Sequence, residues 1–253
     1  SPFLLRREKR DVAPELPARI EVTQLVALGP SEQALYDAAV SDLRMRLAQR
    51  RELDLDRIAL LAEITRLRQL ACHPRLVLAD WPHASSKLRH LLDTLAELLP
   101  RGHRALLFSQ FVGHLQLVQQ ALASRGHTCL YLDGSTPERQ RAQLVERWQS
   151  GEGSLFLISL KAGGTGLHLP GADYVFHLDP WWNPAAEDQA SDRAHRIGQH
   201  RPVTIVRLLA QGTVEEQVAA LHVEKRELAQ ALLQETGALS WDTRELAAYL
   251  GLL

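Results

Sequence analysis

With 253 residues, 45% of them apolar, the chain has material for one full domain and a smaller attachment, which excludes global disorder. Its 29 Lys and Arg against 30 Asp and Glu leave a net charge of -1, which excludes bulk basic character, so any nucleic-acid contact has to be local. Cys72 and Cys129 stand far apart with no C-x-x-C and no metal-type histidine spacing, no apolar run reaches the length of a membrane span, and SPFLLRREKR carries its basic residues after the apolar ones; a zinc site, a disulfide framework, a membrane anchor and a secretion signal are therefore not expected, and a soluble cytoplasmic protein is.

Residues 1 to about 29 read as an extended lead-in, broken by Pro14 and Pro17, with a strand expected over Ile20 to Leu28. Gly29-Pro30-Ser31 marks a turn and helix start, and helical periodicity follows over 32–49 and 56–71 until His73-Pro74. A loop, WPHASS, precedes a helix over 87–99. Beyond it five short apolar runs, ALLFSQF, TCLYLDG, SLFLISL, YVFHLD and VTIVRLL, alternate with helices expected near 113–124, 137–149, 184–196 and 213–234. Such alternation predicts a parallel sheet flanked by helices, an α/β domain over 85–235, after a mainly helical linker and accessory segment over 1–84 and before a helical tail over 236–253.

Ligands of open α/β sheets bind at the carboxyl ends of the strands, and here the loops after those ends are polar and glycine-rich. They hold Ser109-Gln110-Phe111, Asp133-Gly134-Ser135, Lys161 through Gly166, and Asp179-Pro180-Trp181-Trp182-Asn183-Pro184. In Lys161-Ala162-Gly163-Gly164-Thr165-Gly166 the glycines would let backbone N–H groups approach an oxyanion beside the lysine charge; a tight strand-to-helix turn is the competing reading. No G-x-x-x-x-G-K-[ST] occurs in the chain. Arg193 and Arg196, three apart on the expected 184–196 helix, would project from one face and reach a single anion, for which a guanidinium fork is suited; a solvated helix face is the alternative. Trp181 and Trp182 are readable either as groove residues or as buried packing.

The run SLKAGGTGLHLPGADYVFHLDPWWNPAAEDQASDRAHRIGQ resembles the adjoining fifth and sixth helicase motifs of the SWI/SNF family of DNA-translocating ATPases, within helicase superfamily two. ALLFSQFVGHL resembles that family's fourth motif, YLDGSTPERQRAQLVERWQ its following DGS…R segment, and FLLRREKRDVAPELP and LRQLACHP the stretches that join its two motor lobes. The resemblance implies a RecA-like fold and the second of two lobes, with the first, N-terminal lobe of the same protein holding most of the ATP and Mg2+. It implies that Arg193 and Arg196 act as arginine fingers, that Gly164, Thr165, Gly166, Gln189 and Asp192 serve the nucleotide side, and that Ser109, Gln110, Lys161, Gly163 and Trp182 follow the phosphates of double-stranded DNA. It further implies a nucleoid-associated protein and a lobe unable to hydrolyse ATP alone, and it leaves the target open among a nucleoprotein, RNA polymerase and a recombination filament. One departure stands out: His168 replaces the Asn that commonly ends the fifth motif. A stand-alone DNA- or protein-binding module and a lobe of a strand-separating helicase are the other readings, and the Ala/Leu/Arg-rich composition points to a bacterial source.

Overall fold

The computed structural model describes residues 17–49, 57–160, 162, 167–196, 198–221 and 247–252. In chain order the elements are β1 (Arg19–Val26), α1 (Pro30–Gln49), α2 (Arg57–Cys72), α3 (Ser86–Leu98), β2 (Ala105–Ser109), α4 (Val112–Ser124), β3 (Leu130–Leu132), α5 (Glu138–Gln149), β4 (Leu155–Ser159), β5 (Tyr174–His177), α6 (Pro184–Ser191) and β6 (Val203–Ala210). Residues 214–221 are also helical, as are 247–249; the rest of the helices expected over 213–234 and in the tail lies outside the described residues.

Alternation within the short apolar runs decides which face each side chain meets. Ala105 and Leu107 of β2 enter one core cluster and Leu106 and Phe108 another; Leu155 and Leu157 of β4 divide from Phe156 and Ile158 in the same way. Strands apolar on both faces need helices on both sides, so the sheet becomes a central layer. Leucines of α3 and α4 cover the first face, and Trp148 of α5 with Ala190 of α6 cover the second. All neighbouring strands run parallel in the order β1-β6-β5-β2-β4-β3, which is the RecA-like α/β architecture expected.

Local chemistry sets the helix starts. Ser85 Oγ accepts from Leu88 N at 3.1 Å and caps α3, while Glu32 accepts from the backbone N–H groups of Gly29 and Ser86, joining the start of α1 to the start of α3. A third core cluster unites α1, α2, residues 214–218 and the segment 247–252, and Arg44 donates to the Gly251 carbonyl at 2.6 Å.

Two placements differ from the sequence reading. The lead-in strand does not stand apart with the accessory helices. It is the edge strand of the sheet, in register with β6 from Arg19↔Val203 to Val26↔Ala210. The helix expected over 184–196 ends at Ser191, with Asp192 as its C-cap. Past that point Arg193 N and Ala194 N bond the carbonyls three residues back, Ala190 and Ser191, and Arg196 N bonds Ala194 O, so that, apart from one helix-type bond from His195 N to Ser191 O, the chain winds more tightly than an α-helix. Tertiary bonds explain the change: Leu169 N takes the Arg193 carbonyl at 3.2 Å, and His195 Nε2 lies 2.8 Å from the Pro17 carbonyl.

Candidate functional site

In this topology the chain leaves β2 toward β3 and β4 but leaves β5 toward β6, so the sheet switches direction between the neighbours β2 and β5. Side chains after those two strands meet at the crevice that such a switch creates. Asp179 is fully buried there, and it accepts from Ser109 Oγ and from Gln110 Nε2 at 2.6 Å. From the opposite side α2 inserts Arg68, only 1% exposed, whose guanidinium donates to Gln110 Oε1 at 3.1 Å and to the Pro180 carbonyl. The same guanidinium lies over the rings of Trp182 at 5.2 Å and Phe111 at 5.7 Å and stands 4.0 Å from Asp179. Burial pushes the Asp179 carboxyl up from the ordinary range, against the pull of Arg68.

Ser109 is therefore inside the protein, its hydroxyl given to Asp179 and accepting from Phe111 N, and it does not face solvent. Gln110 and Trp182 are half-buried and sit above it. Trp181 is half-buried as well, its N–H held by Glu187 Oε1 at 2.8 Å. Beneath them Lys87 and Glu215 form a buried ion pair at 2.7 Å; burial opposes the ammonium charge, yet Glu215 beside it holds the lysine above its ordinary range. Donor atoms of Cys72, His114 and Asp179 approach within 4.8 Å of one another, but Lys87 and Arg68 face the same space and Asp179 is already hydrogen-bonded, an unfavourable setting for a cation.

The second grouping forms around the turn after α6. Arg193 is buried, 4% exposed, and its Nε and Nη1 have no hydrogen-bond partner; among the described residues neither Arg193 nor Arg196 pairs with a carboxylate. Burial, then the neighbouring Arg196 charge, pulls the Arg193 guanidinium down to about 10. A buried cation with open donors is costly unless an anion completes it. The pair thus stays together, though on tight turns past the helix rather than on one helical face. Ala194 shares a core cluster with Ala162 and Leu169, which flank the glycine-rich segment, and Leu167 packs against the same cluster. Lys161, Gly163, Gly164, Thr165 and Gly166 themselves lie outside the described residues. Gln189 is exposed on α6, and Asp192 meets Arg19 at 3.4 Å.

Several residues of these groupings escaped the sequence reading. Arg68 and Glu187 look like ordinary charges along a chain, and they meet partners as far away as Pro180 and Arg207, 112 and 20 residues on. Arg141 was within reach of a motif argument as one of two arginines, with Arg139, that follow the DGS turn. It donates to Thr136 O at 2.8 Å and to Ala162 O at 3.3 Å, tying the loop after β3 to the segment after β4.

Six parallel strands covered by helices on both faces define the class, a RecA-like lobe. Residues 86–198 match the family model described as the helicase conserved C-terminal domain. The chain belongs to the SWI/SNF family and corresponds to its C-terminal helicase lobe. It is 35% identical over 254 residues to YwqA of Bacillus subtilis, described as an ATP-dependent helicase/translocase, covering 97% of this chain and 27% of that protein. It is 32% identical over 260 residues to human SWI/SNF-related matrix-associated actin-dependent regulator of chromatin subfamily A member 1, covering 97% of this chain and 25% of that protein. The Sulfolobus solfataricus SWI2/SNF2 ATPase core solved in complex with dsDNA superposes with a TM-score of 0.76 at 28% identity, over all of this chain and 55% of that one. The chain spans about a quarter of the length of these curated relatives. Among the described residues no helix is long and apolar enough to cross a membrane.

Proposed function

We propose that this chain is the second motor lobe of an ATP-driven double-stranded-DNA translocase, which supplies arginine fingers to ATP bound mainly, with its Mg2+, on a separate first lobe. The observation that carries the reading is Arg193: a buried guanidinium with two open donors, beside Arg196 and next to the ends of the glycine-rich segment. When the lobes close, both arginines would meet the transferring phosphoryl group and stabilise its growing charge, an effect on the order of 10³–10⁵ in rate. Gly164, Thr165, Gly166, Gln189 and Asp192 would line the same side. Lys161, Gly163, Gln110 and Trp182 would follow the DNA phosphates, with Ser109 supporting Gln110 from below; such contacts carry no base information, which suits movement along any sequence. Hydrolysis would reopen the lobes and shift the grip, a hinge-type cycle.

The 253 residues contain no P-loop, so the lobe alone is expected to be inactive. A stand-alone binding module would give no reason for a buried cation to remain unpaired. In a two-lobe protein carrying this chain, Arg193→Ala and Arg196→Ala should each lower DNA-stimulated ATP turnover by roughly 10³-fold while nucleotide binding is kept. Wild-type turnover in both variants would remove the finger assignment. Triplex displacement without strand displacement would separate the translocase from a strand-separating helicase.

A further inference from the structure

The Arg193–Arg196 turn is not held by regular helix bonding. Within it one helix-type bond remains, His195 N to the Ser191 carbonyl at 3.3 Å, while the N–H groups of Arg193, Ala194 and Arg196 make the shorter-range bonds of tight turns. What fixes it is tertiary. Gln199 Nε2 donates to Ala172 O at 2.6 Å and Leu169 N to the Arg193 carbonyl at 3.2 Å, both from the segment before β5. Two further attachments run to the start of β1. His195 Nε2 lies 2.8 Å from the Pro17 carbonyl; a carbonyl only accepts, so the imidazole must carry its proton on Nε2. Arg19 spreads its guanidinium over Asp188 at 3.0 Å, Asp192 at 3.4 Å and Glu21 at 2.7 Å.

The Arg19 contacts have a second consequence. Asp192 is adjacent to Arg193 and four residues before Arg196, so without another cation it would compete for the arginine pair. Arg19 pairs with Asp192 and Asp188 together, and among the described residues no carboxylate pairs with Arg193 or Arg196. β1 is the edge strand, and Ala18, just before it, still accepts from Val203 N at 2.9 Å.

We propose that Arg19 and His195 are positioning residues: through Asp192 and the Pro17 carbonyl they hold the arginine turn in place, so that the position of Arg193 and Arg196 follows the path of the chain entering the sheet. This rests on the reading of Arg193 and Arg196 as phosphoryl-facing groups. It makes the strand that opens the domain part of the machinery, because a shift of the entering chain is passed to the arginines through two side-chain contacts.

The test compares Arg19→Ala, Arg19→Lys, His195→Ala and His195→Gln in a two-lobe protein carrying this chain, with Arg193→Ala beside them. Glutamine can place its amide N–H near the imidazole Nε2–H, and lysine keeps the charge at position 19. The alanine variants should lose about 10- to 100-fold in kcat at unchanged KM for ATP, the scale expected of a small misplacement, and the conservative variants should recover most of it. Amide hydrogen exchange over 192–196 should quicken by about tenfold in the alanine variants of the chain itself, while exchange in β2 and β4 stays as it was. Wild-type kcat in both alanine variants overturns the inference, as does His195→Gln failing as badly as His195→Ala, or faster exchange spread over the whole sheet. If Arg193→Ala retains full turnover, the finger reading falls; if Arg193→Ala is inactive and the Arg19 and His195 variants are normal, only the positioning role falls.

Discussion

Arg68 is the residue whose loss should be felt most widely. Removing it would leave Asp179 buried beside Ser109 and Gln110 with its nearest cation gone, and would free the Pro180 carbonyl and the faces of Trp182 and Phe111. Breaking a buried pair from one side is costly because the other charge stays buried. Arg68→Ala should lower stability by about 3–5 kcal/mol, measured by urea unfolding, and Arg68→Ala with Asp179→Asn should lose less than the single variant. A result within the error of wild type would mean that solvent reaches Asp179.

Elements here are shaped as much by what stops them as by what starts them. α6 begins as its sequence dictates, with Asn183 Oδ1 accepting from Ala185 N at 3.1 Å and Pro184 at the first helical position, where a missing N–H costs nothing. It stops at Ser191, short of the 196 expected, because Asp192, Arg193 and His195 find partners outside the helix. Gly198 still matters: its φ of 99° lies where side chains are rarely found, and an added Cβ would meet nothing within 4 Å. The cost of Gly198→Ala is then backbone strain alone, about 1–2 kcal/mol, visible as a lowered urea midpoint with an unchanged slope. A neutral outcome would show that the turn can relax to negative φ.

Taken as a whole, the molecule buries several histidines in the neutral state. His177 lies in the sheet with Nε2 2.8 Å from Ser191 Oγ and is held down to about 4 by burial; His73 is also near 4, and His114 is well below its ordinary value, both by burial first. The unfolded chain binds their protons near 6.5, the folded chain only at lower pH, so stability is full above that range and is lost as pH falls from about 6.5 toward 4. Each such histidine contributes a slope of about 1.4 kcal/mol per pH unit in that window. Asp179, raised by burial, works in the opposite sense. Chemical unfolding across this range should show the decline, and His177→Gln should make it shallower; an unchanged slope would place the His177 proton uptake elsewhere.

Much of this architecture was legible without coordinates, because strand and helix periods are local properties. The five alternating runs predicted over 105–209 became β2 to β6, and helices over 112–124 and 138–149 matched to within a residue. The family was legible too, from DPWWNP and QASDRAHRIGQ. The periods depend only on residues close together in the chain, and the family was carried by the resemblance of contiguous motif runs. Tertiary structure alone decided that the lead-in strand joins the sheet beside β6, that Ser109 turns inward to Asp179, that Arg68 fills the crevice between β2 and β5, and that the arginine turn leaves the helix to meet Pro17 and Leu169. Each of these pairs residues 24 to 184 positions apart, and a hydrogen bond or an ion pair across such a separation leaves no period in the sequence: its free energy exists only once the chain has brought both groups out of water and into reach.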